Sequence, residues 1–300
     1  MQGIITEAGQ QKKRNRKKAT EERGLTMNMF TPAEIVKNYG ETGRKKAEMP
    51  AASMLVLGIL SGFFIAFGAA ATNTAGHAIE NVSVMRTVMG LLFPGGLTLV
   101  VLMGGELFTG NCLISISVLE KKTTVGNMLK NWIVVYLGNL LGSLLAAFFC
   151  ARFGQFNYSD GGLAVFTMRL AVTKSTLPAM NAVVLGFFCN VLVCLAVLSS
   201  MSAKDTAGKV AGLYFPIAFF VICGFEHSVA NMYYIPAGIF AASVPEYAAK
   251  AAEAGVNLSA LTWGNFLFGN LLPVTLGNIL GGVFVGACMW AVFGEKKGRK

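Results

Sequence analysis

Two ionisable side chains stand side by side in a glycine-containing apolar stretch, Gly224-Phe225-Glu226-His227-Ser228-Val229-Ala230-Asn231. Imidazole titrates near neutral pH, so His227 can lend positive charge to a monovalent anion or hand it a proton. A second stretch, Gly104-Gly105-Glu106-Leu107-Phe108-Thr109-Gly110-Asn111, shares the first Gly, the Glu and the last Asn. Its Thr109 carries a hydroxyl that either meets the same anion or satisfies carbonyls released where a helix is interrupted. Glu106 and Glu226 are too acidic to face an anion, and read as hydrogen-bonded supports of their segments, with Asn231 beside the second.

No other chemistry is legible. The remaining carboxylates do not pair at catalytic spacing, and no G-x-S-x-G, phosphate loop or nucleophile beside a base occurs, so neither an enzyme nor a catalytic residue is expected. Six cysteines without a C-x-x-C pair, in a chain with two histidines, give no basis for a metal site, disulfide frame or cofactor. They read as small apolar packing residues. His77, in a loop of Thr, Asn and Gly, reads as solvated.

Hydrophobic residues make up 54% of the 300, charged residues 13%, and mean hydropathy is +0.58. Soluble chains carry about 25% charged residues, so this is a membrane protein, and the segments above lie within its spans. Runs long enough to cross about 30 Å of hydrocarbon fall at about 50–72, 86–116, 131–152, 178–200, 211–240 and 264–293. The expected fold is therefore all-α with six transmembrane helices. The second is interrupted at Pro94-Gly95-Gly96 and again from Gly104 to Asn111, and the fifth from Gly224 to Asn231.

Around this domain, residues 49–295, lie three short pieces. Residues 1–28 form a basic leader that reads as disordered, and 296–300 a basic tail. Within 29–48, Thr31-Pro32-Ala33-Glu34 has the order of an N-cap, a first-turn proline and an acidic third residue. An amphipathic helix should follow along the inner membrane surface, with Ile35, Val36 and Tyr39 on its apolar side. The net charge of +10 does not indicate nucleic acid, because the basic residues sit at the chain ends and in inter-helix loops. Most Lys and Arg fall in the termini and alternate loops, leaving Arg86, Arg152, Arg169, Lys174 and Lys250 for the opposite side. That asymmetry puts both termini in the cytoplasm of a multi-pass plasma or inner membrane protein.

The two Gly-to-Asn segments recur in the same order as a second pair, Leu137-Gly138-Asn139-Leu140-Leu141-Gly142 and Leu276-Gly277-Asn278-Ile279-Leu280-Gly281. Three spans per half force the second copy to insert upside down, giving two inverted repeats. Asn139 and Asn278 read as amide bridges between closely packed helices. A break at membrane depth is tolerated only where it is buried in protein or lines a watery cavity. The paired breaks therefore mark a transport pathway, and their exposed N–H groups carry a partial positive field suited to an anion. An ionisable residue at that depth points the same way, so His227 reads as the centre of the pathway.

At these residues the chain resembles the formate/nitrite transporter family. The resemblance rests on Gly224 to Met232 followed by Ile235-Pro236, on Glu106-Leu107-Phe108-Thr109, on Asn131-Trp132 and on Val274-Thr275-Leu276-Gly277-Asn278-Ile279, and covers roughly 29–295. It implies a homopentamer of aquaporin-like protomers, each with its own pore for small monovalent anions, without cofactor. It further implies His227 as central histidine, Thr109 as its hydrogen-bonding threonine, and Lys174 and Asn190 near the outer vestibule. Apolar constrictions fall on Phe93, Leu97, Leu107, Phe108, Val193 and Phe220. Formate stands first among substrates, alone or with protons. Nitrite, hydrosulfide, acetate and lactate are alternatives within the family, and a neutral-solute pore of aquaporin type is an alternative outside it.

Overall fold

The computed structural model of the chain describes residues 29–295, so the expected leader and basic tail lie outside the described residues. The described residues are helical apart from turns, with one isolated bridge between Met29 and Ala203.

The first helix, α1 (Pro32–Glu48), starts where the sequence places it. Thr31 accepts from the Glu34 N–H at 3.4 Å, and Glu34 Oε2 accepts from the Thr31 N–H at 2.8 Å. The Thr31 N–H, together with the Thr31 hydroxyl at 2.9 Å, holds the exposed Glu34 carboxyl below its ordinary range. The apolar side of α1 meets protein. Ile35, Val36 and Tyr39 are buried against Leu113, Ile116, Cys194, Leu198 and Val285 of the same chain. Gly40 and Gly43 are buried as well, and their lack of side chains lets α1 seat this closely.

Among the described residues, five helices are long and apolar enough to cross a membrane: Ala51–Gly76, Val82–Met103, Val125–Arg152, Ala179–Ser202 and Asn265–Phe293. The first is α2 (Ala51–Gly76). The second comprises α3 (Val82–Leu92) and α4 (Pro94–Met103), and the expected break at Pro94 is only a tight turn. Phe93 keeps helical dihedrals and its N–H still reaches Met89 O at 3.1 Å, because proline at a first-turn position forfeits only one bond. After it come α5 (Phe108–Asn111) and α6 (Ile114–Leu119), then α7 (Val125–Arg152).

A helix that hydropathy does not separate from its loops, α8 (Gly162–Ser175), precedes α9 (Ala179–Ser202). The apolar run at 211–240 is not one helix but α10 (Thr206–Ile222) and α11 (Ser228–Ala242). A short amphipathic α12 (Pro245–Glu253) leads to a π-helical stretch, Asn265–Leu271, which continues as α13 (Leu272–Phe293).

Glycines set the helix spacing. A Cβ on Gly142 of α7 would strike the Ile59 carbonyl of α2, and one on Gly277 of α13 would strike the Val183 carbonyl of α9. Backbones this close leave no room for apolar side chains, and Asn139 and Asn278 bridge them instead. His77, expected in solvent, caps the C-terminal end of α2. Its Nδ1 lies 2.7 Å from Thr74 O and its Nε2 2.7 Å from Ser159 Oγ, because α2 runs on to Gly76 and carries the ring to both.

Candidate functional site

Residues 104–107 and 224–227 are the non-helical links that precede α5 and α11. Each opens on a glycine in the left-handed region, Gly104 at φ 70° and Gly224 at φ 71°. Such a φ is strained for any residue with a side chain. Each closes on an extended N-cap residue, Leu107 at φ −116°, ψ 120° and His227 at φ −111°, ψ 115°.

The side chains around the two links correspond closely, with one additional bond in the first, from Asn131 Nδ2 to Glu106 Oε2 at 3.4 Å. In the first, Glu106 Oε2 accepts from Asn111 Nδ2 at 2.6 Å and Oε1 from Lys46 Nζ at 2.6 Å. Asn111 also donates to Asn131 Oδ1 at 2.8 Å, and Asn131 to Lys46 O at 3.0 Å. In the second, Glu226 Oε2 accepts from Asn231 Nδ2 at 2.6 Å and Oε1 from Lys174 Nζ at 2.7 Å. Asn231 also donates to Asn270 Oδ1 at 2.8 Å, and Asn270 to Lys174 O at 2.9 Å. Asn139 accepts from the Phe108 N–H and donates to Glu106 O, both at 2.9 Å. Asn278 accepts from the Ser228 N–H at 2.9 Å and donates to Glu226 O at 3.0 Å.

Two expectations change here. The links do not simply present unbonded N–H groups, because Asn139, Asn278 and the His227 ring already hold those of Phe108, Ser228 and Ala230. Lys174 is no unpaired cation either: it is an ion-pair partner of Glu226, with side chains 12% and 7% exposed. Burying the lysine without that partner would cost several kcal/mol, of order 3–5.

His227 and Thr109 join the halves. His227 Nε2 lies 2.8 Å from Thr109 Oγ1, and both residues are buried. Nδ1 accepts the Ala230 N–H at 3.0 Å. A main-chain N–H can only donate, so Nδ1 is the bare nitrogen and the single ring proton sits on Nε2, pointed at Thr109. Phe220 stacks on the imidazole at 5.8 Å between centroids, and Phe93 meets Phe220 edge-on at 5.4 Å.

Two cavities accompany the two links. One, of about 170 Å³, is lined by His227, Glu226 and Lys174 together with Phe93, Phe220 and Arg86. The other, of about 280 Å³, is lined by Leu97, Leu107, Asn111 and Lys46 with Tyr39 and Lys209. Four of the six expected constrictions thus line a cavity, two in each. Phe108 does not: it packs edge-on against Tyr136 at 4.8 Å and Trp132 at 6.2 Å on α7. Val193 is buried in the core and lines neither cavity. Asn190, expected near Lys174, is instead fully buried beside the Thr109 main chain. Its amide donates to Thr109 O at 3.2 Å and Asn278 O at 2.6 Å, while its Oδ1 has no partner among the described residues.

The pattern of this site agrees with what the whole chain matches. A family model for the formate/nitrite transporters covers residues 33–292. The chain belongs to the formate/nitrite transporter family. It is similar to a probable formate transporter of Methanothermobacter thermautotrophicus, 37% identical over 279 residues that span 87% of this chain and 95% of the relative. It is equally similar to the formate channel FocA of Escherichia coli strain K12, 37% identical over 272 residues, 88% of this chain and 95% of that protein. Among solved structures it resembles a pentameric formate channel with formate bound, at a TM-score of 0.71 and 37% identity, over 84% of this chain and 99% of that one.

Membership makes this a membrane transport protein rather than an enzyme. Several residues of this family member escape a reading of motifs alone. Lys46 lies in a helix that reads as a surface anchor, and Asn270 in a stretch without any motif, yet each occupies the position held by Lys174 or Asn131 in the other half. Extending the repeat outward finds the asparagines, since Asn131 and Asn270 each precede Asn139 and Asn278 by eight residues. Tyr234, whose hydroxyl lies 3.0 Å from Thr72 Oγ1 and whose ring lies 5.5 Å from Lys174 Nζ, has no such signal.

Proposed function

We propose that this transporter conducts small monovalent anions, formate first, along a pathway inside each protomer that runs between the two cavities past His227 and Thr109. The observation that carries the reading is the meeting of His227 Nε2 and Thr109 Oγ1 at 2.8 Å between two cavity-lining links. The formate transporters and channels among its relatives, at 37% identity, support the choice of anion.

In this reading the chain has six spans, the second and fifth broken at 104–107 and 224–227, in two inverted repeats with an aquaporin-like protomer. The matching networks of Glu106 and Glu226 support that symmetry. Residues 49–295 form one transmembrane domain, 29–48 carry the helix that seats on it, and both termini face the cytoplasm. Lysine and arginine bias supports the orientation. The resemblance to a pentameric formate channel supports a homopentamer.

An anion entering the His227 cavity sheds water against Phe93 and Phe220, then meets the Nε2–H and Thr109 pair. Bare ions cross apolar rings poorly, and a proton acquired there lowers the cost of passing Leu97 and Leu107. The imidazole is the proton-exchanging group on this line: Nδ1 takes a proton from water in place of the Ala230 bond, the imidazolium hands its Nε2 proton to the anion, and the ring ends neutral. Glu106, Glu226 and Asn231 hold the links, Lys174 is held with them, and Asn190 fixes the Thr109 main chain. Nitrite and hydrosulfide share the charge and size that this chemistry selects. Electrophysiology of the purified protein with formate, nitrite, hydrosulfide and acetate at two pH values tests the reading. Formate current above that of acetate is expected; no anion current, with glycerol swelling instead, would overturn it.

A further inference from the structure

We propose that Arg86 at one mouth and Lys209 at the other are the anion-capture residues of the pathway, each supplying the net positive charge of its cavity. This rests on the proposed function, and it follows from counting charges. Lys174 and Lys46 are bound to Glu226 and Glu106 at 2.7 and 2.6 Å, so each pair adds a local dipole but no net charge. A distant anion responds to net charge before it responds to a dipole.

In the His227 cavity, the ionisable lining residues other than that pair are His227 itself, Tyr234 and Arg86. Arg86 is exposed on α3 and has no ion-pair partner among the described residues. Its guanidinium reaches over the second link: a Cβ built on Gly224 would stand 3.1 Å from Arg86 Nη1. The positive φ of Gly224 and this proximity bring the arginine to where the link opens into the cavity.

The other cavity repeats the arrangement. Besides Lys46, the cation in its lining is Lys209, on α10, partly exposed and without an ion-pair partner among the described residues. Asp205, one turn earlier, directs a carboxylate oxygen to the Gly208 N–H at 2.8 Å, capping α10. The helices that carry the two cations, α3 and α10, pack against each other, so one helix pair serves both mouths.

Charge capture differs from a structural role in its dependence on side and on salt. The test is formate current across planar bilayers, with formate added to one side at a time, for wild type, Arg86→Gln, Arg86→Lys and Lys209→Gln. At low ionic strength Arg86→Gln should raise the half-saturating formate on the Arg86 side by about twofold to tenfold, leaving the limiting current and the other side unchanged. Lys209→Gln should do the same on the opposite side, and Arg86→Lys should restore the wild-type value. At about 1 M salt, where screening acts within about 3 Å, variants and wild type should converge. A conducting wild type with unshifted variants overturns the inference, as does a shift that survives high salt or resists rescue by lysine. A wild type that carries no small anion overturns the proposed function, a failure distinguished because it appears without any substitution.

Discussion

Thr109 Oγ1 lies 2.8 Å from His227 Nε2 although 118 residues separate them in the chain. That contact ties the link before α5 to the link before α11. The histidine has no counterpart in the first half, where Leu107 occupies the same extended N-cap position. The hydrogen-bond networks of the two links match, and the imidazole is single.

Glu226→Ala leaves the Lys174 ammonium buried without its carboxylate. The expected loss is about 3–5 kcal/mol, because an uncompensated charge is worse than no charge. Adding Lys174→Met should recover a large part of it. Thermal unfolding of both single variants and the double variant in detergent measures this coupling, and strictly additive losses would contradict a direct pair.

Gly142→Ala and Gly277→Ala should each destabilise by roughly 1–3 kcal/mol, since the new methyl meets a carbonyl of the facing helix and the backbones must separate. Gly95→Ala is the control. Nothing lies within 4 Å of a Cβ there, and alanine in a helix is favoured over glycine by about 1 kcal/mol. Melting temperatures should fall for the first two and hold or rise for the third.

Asn139→Ala and Asn278→Ala each strand one main-chain N–H and one link carbonyl, and remove an amide bond to a helical carbonyl of the facing helix. A buried group left unpaired costs about 1–3 kcal/mol, so both variants should lose several kcal/mol, and by similar amounts. Parallel denaturation curves check the equivalence of the halves. A large loss at one site and none at the other would deny it.

What the sequence makes legible follows from which interactions are local. Long apolar runs announce α2, α7, α9 and α13, because membrane depth demands them at every residue. The links at 104–107 and 224–227 are legible because a left-handed turn requires glycine and a buried glutamate requires nearby amides. The α8 and α12 helices are not: their mixed apolar and charged residues give no membrane-length run, and packing against neighbours determines them. Nor is the direction of a side chain. Phe108 reads as a constriction by position, yet α5 turns it toward Trp132 and Tyr136. Lys46 has no legible role in the sequence, because its glutamate lies 60 residues away.

The most direct test of the pathway is the pH dependence of formate flux in proteoliposomes, compared between wild type and His227→Phe. Flux through the wild type should rise as the pH falls from about pH 8 to about pH 5, because a larger fraction of the rings then carries the second proton that can be handed to formate. The variant, retaining bulk without a ring nitrogen, should lose that dependence or its selectivity while keeping its folded elution profile. Wild-type and variant fluxes that superimpose across the range would contradict a pathway centred on His227.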